Sequence, residues 1–253
     1  MLELKNVSAG YGKQNILDDI TASFSKGRLT SIIGVNGCGK STLLRSALGI
    51  LPLSHGEIAV DGQDLQSLSR NEIAKKMAYL SQEKNTPDMT VEQMVLHGRF
   101  PHLSYPRRYT SRDKEIARRA MESVGISELA HKLLHTLSGG MRQNAYIAMA
   151  IAQDTDYILL DEPTTYLDIA HQLELMRLLR TLADKGKGIV AVMHDLPLAF
   201  DFSDEILVIE KGRVRAQEKP LELCKTSIIQ EIFKVQIKRI DNSGRYYYDT
   251  TTL

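Results

Sequence analysis

The 253-residue chain carries 32 basic and 31 acidic side chains, with 43% hydrophobic and 25% charged residues, a composition that sustains a full hydrophobic core and excludes wholesale disorder. Its net charge of +1 supplies no global field to draw it to nucleic acid or to an anionic membrane. No apolar run reaches bilayer-spanning length, Met1-Leu2-Glu3-Leu4-Lys5 has an acid where a secretory leader is apolar, and two cysteines, Cys38 and Cys224, are too few for a disulfide scaffold; these features together predict a cytosolic protein.

Residues 2–7 alternate apolar with polar as a half-buried strand does, and 16–24 repeats that period, so the chain opens with a predicted antiparallel pair. Between them Ser8-Ala9-Gly10-Tyr11-Gly12 reads as a turn, where Tyr11 either packs on a sheet edge or stacks on a purine base. Residues 29–33 form a short apolar, β-branched strand. It runs into Gly34-Val35-Asn36-Gly37-Cys38-Gly39-Lys40-Ser41, which fits G-x-x-x-x-G-K-[ST] at every fixed position and opens a helix. Glycines let successive backbone N–H groups turn onto an anion, and the helix start adds positive partial charge. Lys40 is expected to reach the β- and γ-phosphates and Ser41 to bind Mg²⁺, with Gly34, Asn36, Gly37, Cys38, Gly39 and Thr42 completing the nucleotide site. Cys38 is either a stabilised thiolate at the helix start, open to alkylation, or a small residue filling space.

Residues 56–60 read as a strand, 69–77 as a short helix, and 78–80 as a strand ending at Ser81-Gln82. From residue 83 helical periods take over. One helix is expected within 87–98, and Thr110-x-x-Asp113 is a capping box ahead of the stripe Ile116, Ala117, Ala120, Met121 and Val124. Between them the basic, aromatic loop from Gly98-Arg99-Phe100-Pro101-His102 to Tyr109 reads as solvated surface or as a docking surface. In Leu137-Ser138-Gly139-Gly140, Ser138 is a predicted N-cap and the glycines leave helix N–H groups uncovered, a second anion site. Residues 145–152 are small and apolar on all sides, a buried helix. Tyr157-Ile158-Leu159-Leu160 is a buried strand delivering Asp161 and Glu162 at its carboxyl end, where ligands of open α/β sheets bind. Asp161 is expected to hold Mg²⁺ or its water, and Glu162 to deprotonate the attacking water. A helix over 169–185 and a strand over 189–193 lead to His194, assigned to a γ-phosphate contact; the other histidines, His97, His102, His131, His135 and His171 among them, read as surface. A strand at 205–209 follows, and the tail 220–253 shows no chemistry.

The phosphate loop, Leu137-Ser138-Gly139-Gly140 and Leu159-Leu160-Asp161-Glu162-Pro163, in that order, make the chain resemble the nucleotide-binding subunit of ATP-binding cassette (ABC) transporters. The resemblance implies a single ABC ATPase domain over 1–253: an α/β P-loop NTPase core (1–82 and 155–253) with an N-terminal antiparallel β subdomain and an inserted α-helical subdomain (83–154). It implies ATP and Mg²⁺ as ligands, Tyr11 as the adenine-stacking ring, Gln82 as a catalytic glutamine that contacts Mg²⁺ or water and senses membrane subunits, and His194 as the switch histidine. Two cassettes, most simply a homodimer, would close head to tail, so that Ser138, Gly139 and Gly140 touch the nucleotide of the other copy and Asp168 lies between the sites. Met141 stands where that family usually has Gln, and Tyr166 where Ala is common. Gly98-Arg99-Phe100-Pro101-His102 and Pro163-Thr164-Thr165-Tyr166-Leu167-Asp168 look like the importer subfamily for ferric siderophores, haem or cobalamin. That likeness implies permease subunits, an extracytoplasmic solute-binding protein, no nucleic acid, and a peripheral place on the cytoplasmic side of the membrane. A soluble cassette, such as an iron–sulfur cluster assembly ATPase, is the alternative, and the loop at 98–109 argues against it.

Overall fold

The structure, a computed structural model, describes residues 1–12, 14–82, 86–165, 167–239 and 245–249. Its elements run β1 (Leu2–Tyr11), β2 (Gln14–Phe24), β3 (Leu29–Ile33), α1 (Lys40–Ala47), β4 (Leu53–Val60), β5 (Gln63–Asp64), α2 (Arg70–Lys76), β6 (Met77–Leu80), α3 (Val91–His97), α4 (Ser111–Ser123), α5 (Gly139–Ala152), β7 (Tyr157–Asp161), α6 (Ile169–Asp184), β8 (Gly188–Val192), α7 (Leu196–Phe202), β9 (Glu205–Glu210), β10 (Arg213–Glu218), α8 (Pro220–Leu223), α9 (Ile228–Phe233), β11 (Gln236–Arg239) and β12 (Tyr246–Asp249).

Among the described residues the first sheet is antiparallel, in the order β2-β1-β4-β5. The expected turn at residues 8–12 is a correction: β1 continues to Tyr11, which pairs with Gln14. The register shifts after Leu4 and again after Val7, with Asn6 and Asp19 at positive φ, so bulges break the alternation that marks a strand in the sequence.

The second sheet has the order β10-β9-β3-β8-β7-β6, with β9, β3, β8, β7 and β6 parallel and β10 an antiparallel edge. β3, β7 and β8 are buried at every position, which is why they read as continuous apolar runs. Alternate residues serve two cores. Ile32, Leu159, Val190 and Leu207 face α1 and the antiparallel sheet, whereas Ile158, Leu160, Ile189 and Ala191 face the interior shared with α5 and α6. The carboxyl ends of β3, β7 and β8 therefore bring the phosphate loop, Asp161-Glu162 and His194 to one edge.

α3, α4 and α5 pack on one another, and their apolar faces continue into the core beneath the sheet. Thr90 and Thr110 close full capping boxes with Gln93 and Asp113. A Cβ on Gly98 would stand 2.2 Å from the Met149 carbonyl oxygen, so only glycine lets α3 approach α5 this closely. Arg99 is not in a solvated loop. It is 6% exposed, its Nε donates to Asp113 Oδ1 at 3.1 Å and its guanidinium to the Ala152 carbonyl at 2.9 Å. Phe100 and Tyr105 are exposed, and Arg107 stacks on Phe100 at 4.4 Å. His102 is also drawn inward, with Nε2 2.8 Å from the Gln153 carbonyl oxygen.

Candidate nucleotide site

The loop after β3 is shaped by glycines that nothing larger replaces. A Cβ on Gly34 would lie 2.3 Å from the Ile209 carbonyl oxygen, and Gly37 and Gly39 hold φ of 76° and 108°. α1 begins at Lys40 with no side chain capping it, so its first N–H groups and their positive partial charge face the loop. The Lys40 ammonium is buried and donates to the Gly34 and Val35 carbonyls at 2.8 and 3.1 Å. No carboxylate pairs with it among the described residues, and a buried cation at a helix start fits a polyphosphate.

Ser41 Oγ donates to Asp161 Oδ1 at 2.9 Å, and the Tyr79 hydroxyl to Asp161 Oδ2 at 3.3 Å. Asp161 is 2% exposed; burial lifts its carboxyl above the usual range, opposed by those two hydrogen bonds. The pairing of a hydroxyl with a carboxylate is a hard-oxygen set suited to Mg²⁺. The described residues hold no cluster of three His, Cys, Asp or Glu, so such a metal would take its other ligands from phosphate and water oxygens. Next to it, Glu162 sits at φ 52°, a strained conformation for a non-glycine residue. Gln82 Nε2 donates to its Oε2 at 2.6 Å, Thr165 Oγ1 to the same oxygen at 3.3 Å, and His194 Nε2 lies 2.5 Å from Oε1. Asn36, Lys40, Ser41, Gln82, Glu162 and His194 thus line one cleft of about 380 Å³, which Gly37, Gly39 and Thr42 complete.

Other expected site residues lie elsewhere. Tyr11 is 47% exposed and does not line the cleft; its hydroxyl accepts from Arg45 at 3.1 Å. Cys38 is 4% exposed, and burial raises its thiol pKa despite the nearby Lys40 charge, which corrects the thiolate reading in favour of a packing role. Ser138 caps α5 by accepting from the Met141 N–H at 3.3 Å, and Asp168 caps α6 by accepting from the His171 N–H at 2.9 Å. Ser138, Gly139 and Asp168 are exposed, Gly140 is half-buried, and none of them lines the cleft. His171 is tied to Asp168, its Nδ1 2.8 Å from Oδ1. Tyr166 lies outside the described residues. Two polar groups were missed by sequence reasoning: Arg45, which donates to the Tyr11 hydroxyl at 3.1 Å, and Tyr79, whose hydroxyl donates to Asp161 Oδ2 at 3.3 Å. The signal available was the i, i+4 spacing of Ser41 and Arg45 on one face of α1.

The ABC transporter family profile matches residues 17–165, from β2 through Glu162. The chain belongs to the ABC transporter family. As a cassette of that family it is 42% identical to the petrobactin import ATP-binding protein FpuD of Bacillus anthracis, over 93% of this chain and 87% of that one. It is 40% identical to the ferric enterobactin transport ATP-binding protein FepC of Escherichia coli, over 94% and 89%. Among solved structures, a chain from a metal-chelate type ABC transporter in an inward-facing conformation superposes with TM-score 0.84 at 27% identity, covering 99% of this cassette and 98% of that chain. The dimeric bacterial ABC transporter cassette MJ0796 superposes with TM-score 0.76 at 28% identity, covering 87% and 99%. No helix among the described residues is long and apolar enough to cross a membrane.

Proposed function

We propose that this ABC cassette is the ATP-hydrolysing subunit of an importer for ferric siderophores and similar metal chelates, peripheral on the cytoplasmic side of a membrane and fed by an extracytoplasmic solute-binding protein. The observation that carries the hydrolytic reading is Glu162: its carboxylate, held by Gln82 and His194, stands in the same cleft as Lys40 and Ser41. Lys40 and the N–H groups of residues 37–42 hold the β- and γ-phosphates. Glu162 takes a proton from water as the water oxygen bonds the γ-phosphorus, and the bond to the β,γ-bridging oxygen breaks with its electron pair leaving on ADP. Ser41 and Asp161 would hold Mg²⁺, which when bound offsets negative charge on the phosphate oxygens. Gln82 and His194 orient the Glu162 carboxylate and the terminal phosphate, and Tyr11 offers its exposed ring to the base.

Ser138, Gly139, Gly140 and Asp168, exposed or half-buried away from the cleft, are the half-site offered to a second copy of the chain. The solute class rests on the relatives named for petrobactin and ferric enterobactin. Permease contact is assigned to a groove of about 520 Å³ lined by Leu48, Ile50, Ile73, Met77 and Tyr79. Ile50 is 60% exposed there, and Tyr79 connects the groove to Asp161. Glu162→Gln is expected to retain ATP binding and slow hydrolysis by about 10²–10⁴, the usual worth of a general base, while Lys40→Ala weakens nucleotide binding itself. Calorimetry and phosphate release measure the two effects. In cells, Glu162→Gln should also stop uptake of a radiolabelled ferric chelate, and continued uptake would remove the transport assignment.

A further inference from the structure

The sequence assigns no chemistry to the chain beyond β10, yet its last hairpin, β11–β12, is fastened to the helix that follows His194. His194 and Asp195 form the short bend between β8 and α7. Upstream, the bend is anchored where the Met193 N–H donates to the Ile32 carbonyl at 3.0 Å. Downstream, the anchor is the first turn of α7, whose donors are all accounted for. Leu198 N–H donates to Asp195 Oδ1 at 2.8 Å, Ala199 N–H to the Asp195 carbonyl at 3.0 Å, and Pro197 has no N–H to place. The remaining donor, the Leu196 N–H, goes to the Tyr248 hydroxyl of β12 at 3.3 Å. The same strand holds the far end of the helix: the Tyr246 N–H donates to Asp201 Oδ1 at 2.7 Å, and its ring meets Phe200 at 5.3 Å with the planes at 58°.

We infer that Tyr248 is a positioning residue for ATP hydrolysis: through the Leu196 N–H it fixes the bend that presents the His194 imidazole to Glu162. This inference rests on the reading of the cleft proposed above. The imidazole is 43% exposed, so its own packing does little to orient it, and the direction of its Cα–Cβ bond is set by the backbone of the bend. Tyr246 and Ile237 cover apolar surface, but the other two rings of β12 do not. Tyr247 and Tyr248 are 42% and 44% exposed, and the hydrogen bond Tyr248 makes with α7 is directed at one donor.

The test measures ATP turnover of the full chain for the parent, Tyr248→Phe, Tyr246→Phe and His194→Ala, with kcat expressed per nucleotide-binding site as counted by titration with a fluorescent ATP analogue. Tyr248→Phe keeps the ring and removes the acceptor. It is expected to lower kcat per site about fivefold, the rate equivalent of one net hydrogen bond, with KM for ATP unchanged. Tyr246→Phe keeps both Tyr246 contacts with α7 and should retain the parental kcat. Parental turnover in Tyr248→Phe, equal losses in both tyrosine variants, or a loss carried by KM would each overturn the positioning role. His194→Ala separates the two levels of the argument. If it turns over at the parental rate, the reading of the cleft fails and the inference with it; if it is impaired while Tyr248→Phe is not, only the inference fails.

Discussion

Tyr79 shows what one hydroxyl does at the residue scale. It donates to Asp161 Oδ2 at 3.3 Å, and burial together with the Asp161 charge pushes its pKa up to about 12, so it stays a donor at any physiological pH. Removing it in Tyr79→Phe leaves a buried carboxylate oxygen without that partner. The expected result is a roughly tenfold rise in the Mg²⁺ concentration for half-maximal ATP turnover, the usual cost of losing a group that orients a metal ligand, with Mg²⁺-free nucleotide binding unchanged in a fluorescence titration. Lys40, Ser41, Asp161, Glu162 and His194 were legible in the sequence because each sits in a contiguous motif or directly after an apolar strand. The Tyr79–Asp161 link was not, since it depends on β6 lying beside β7. Cys38 stayed open between two readings for a related reason: the sequence places it at a helix start but does not show the burial that raises its thiol pKa.

Elements are held at their ends, and the α4–α5 junction shows how. The last carbonyls of α5 have no intrahelical donor, and Arg99 supplies one to Ala152 while pairing with Asp113 in the capping box of α4. Both side chains are less than a tenth exposed. Asp113→Asn therefore leaves a buried guanidinium uncompensated and is expected to destabilise the protein by about 3 kcal/mol, read from urea unfolding midpoints. Burial pulls the Asp113 carboxyl upward, but the Thr110 hydrogen bonds and the Arg99 charge outweigh it and hold its pKa below the ordinary 3.8. A lowered folded-state value means that this stabilisation is complete at neutral pH and is lost only as pH falls from about 4 through that lower value. The Asn variant should accordingly match the parent more closely in acid than at pH 7. The Thr110–Asp113 capping box was legible because it spans four residues, while the matching box of Thr90 and Gln93 went unread. Arg99 was not legible, because one partner is the last carbonyl of a helix that begins 40 residues later and the other a capping carboxylate 14 residues on, and the bulges of β1 likewise hid its last four residues.

At the scale of the whole molecule, the chain presents a phosphate cradle at one place and an exposed helix start at Ser138 at another. Near that second site Met141 and Ile169 are 47% and 77% exposed, apolar surface that pairing with a second copy would cover. If each working site takes Lys40 from one copy and Ser138 from the other, damage to the two should complement. Ser138→Arg and Lys40→Ala proteins are each expected to be inactive alone, because every site in either homodimer lacks one half. A mixed dimer keeps one site whole: the intact Lys40 of the Ser138→Arg chain faces the intact Ser138 of the Lys40→Ala chain. Equal mixing of exchanging subunits puts half of the dimers in this state with one of two sites working, so ATPase activity should recover to about a quarter of the parental value if the sites act independently. The assay is phosphate release across a series of mixing ratios, which should peak at equal amounts. Parental activity of the Ser138→Arg protein on its own would mean that each chain hydrolyses ATP with its own residues alone, and that Ser138 has no part in the neighbouring site.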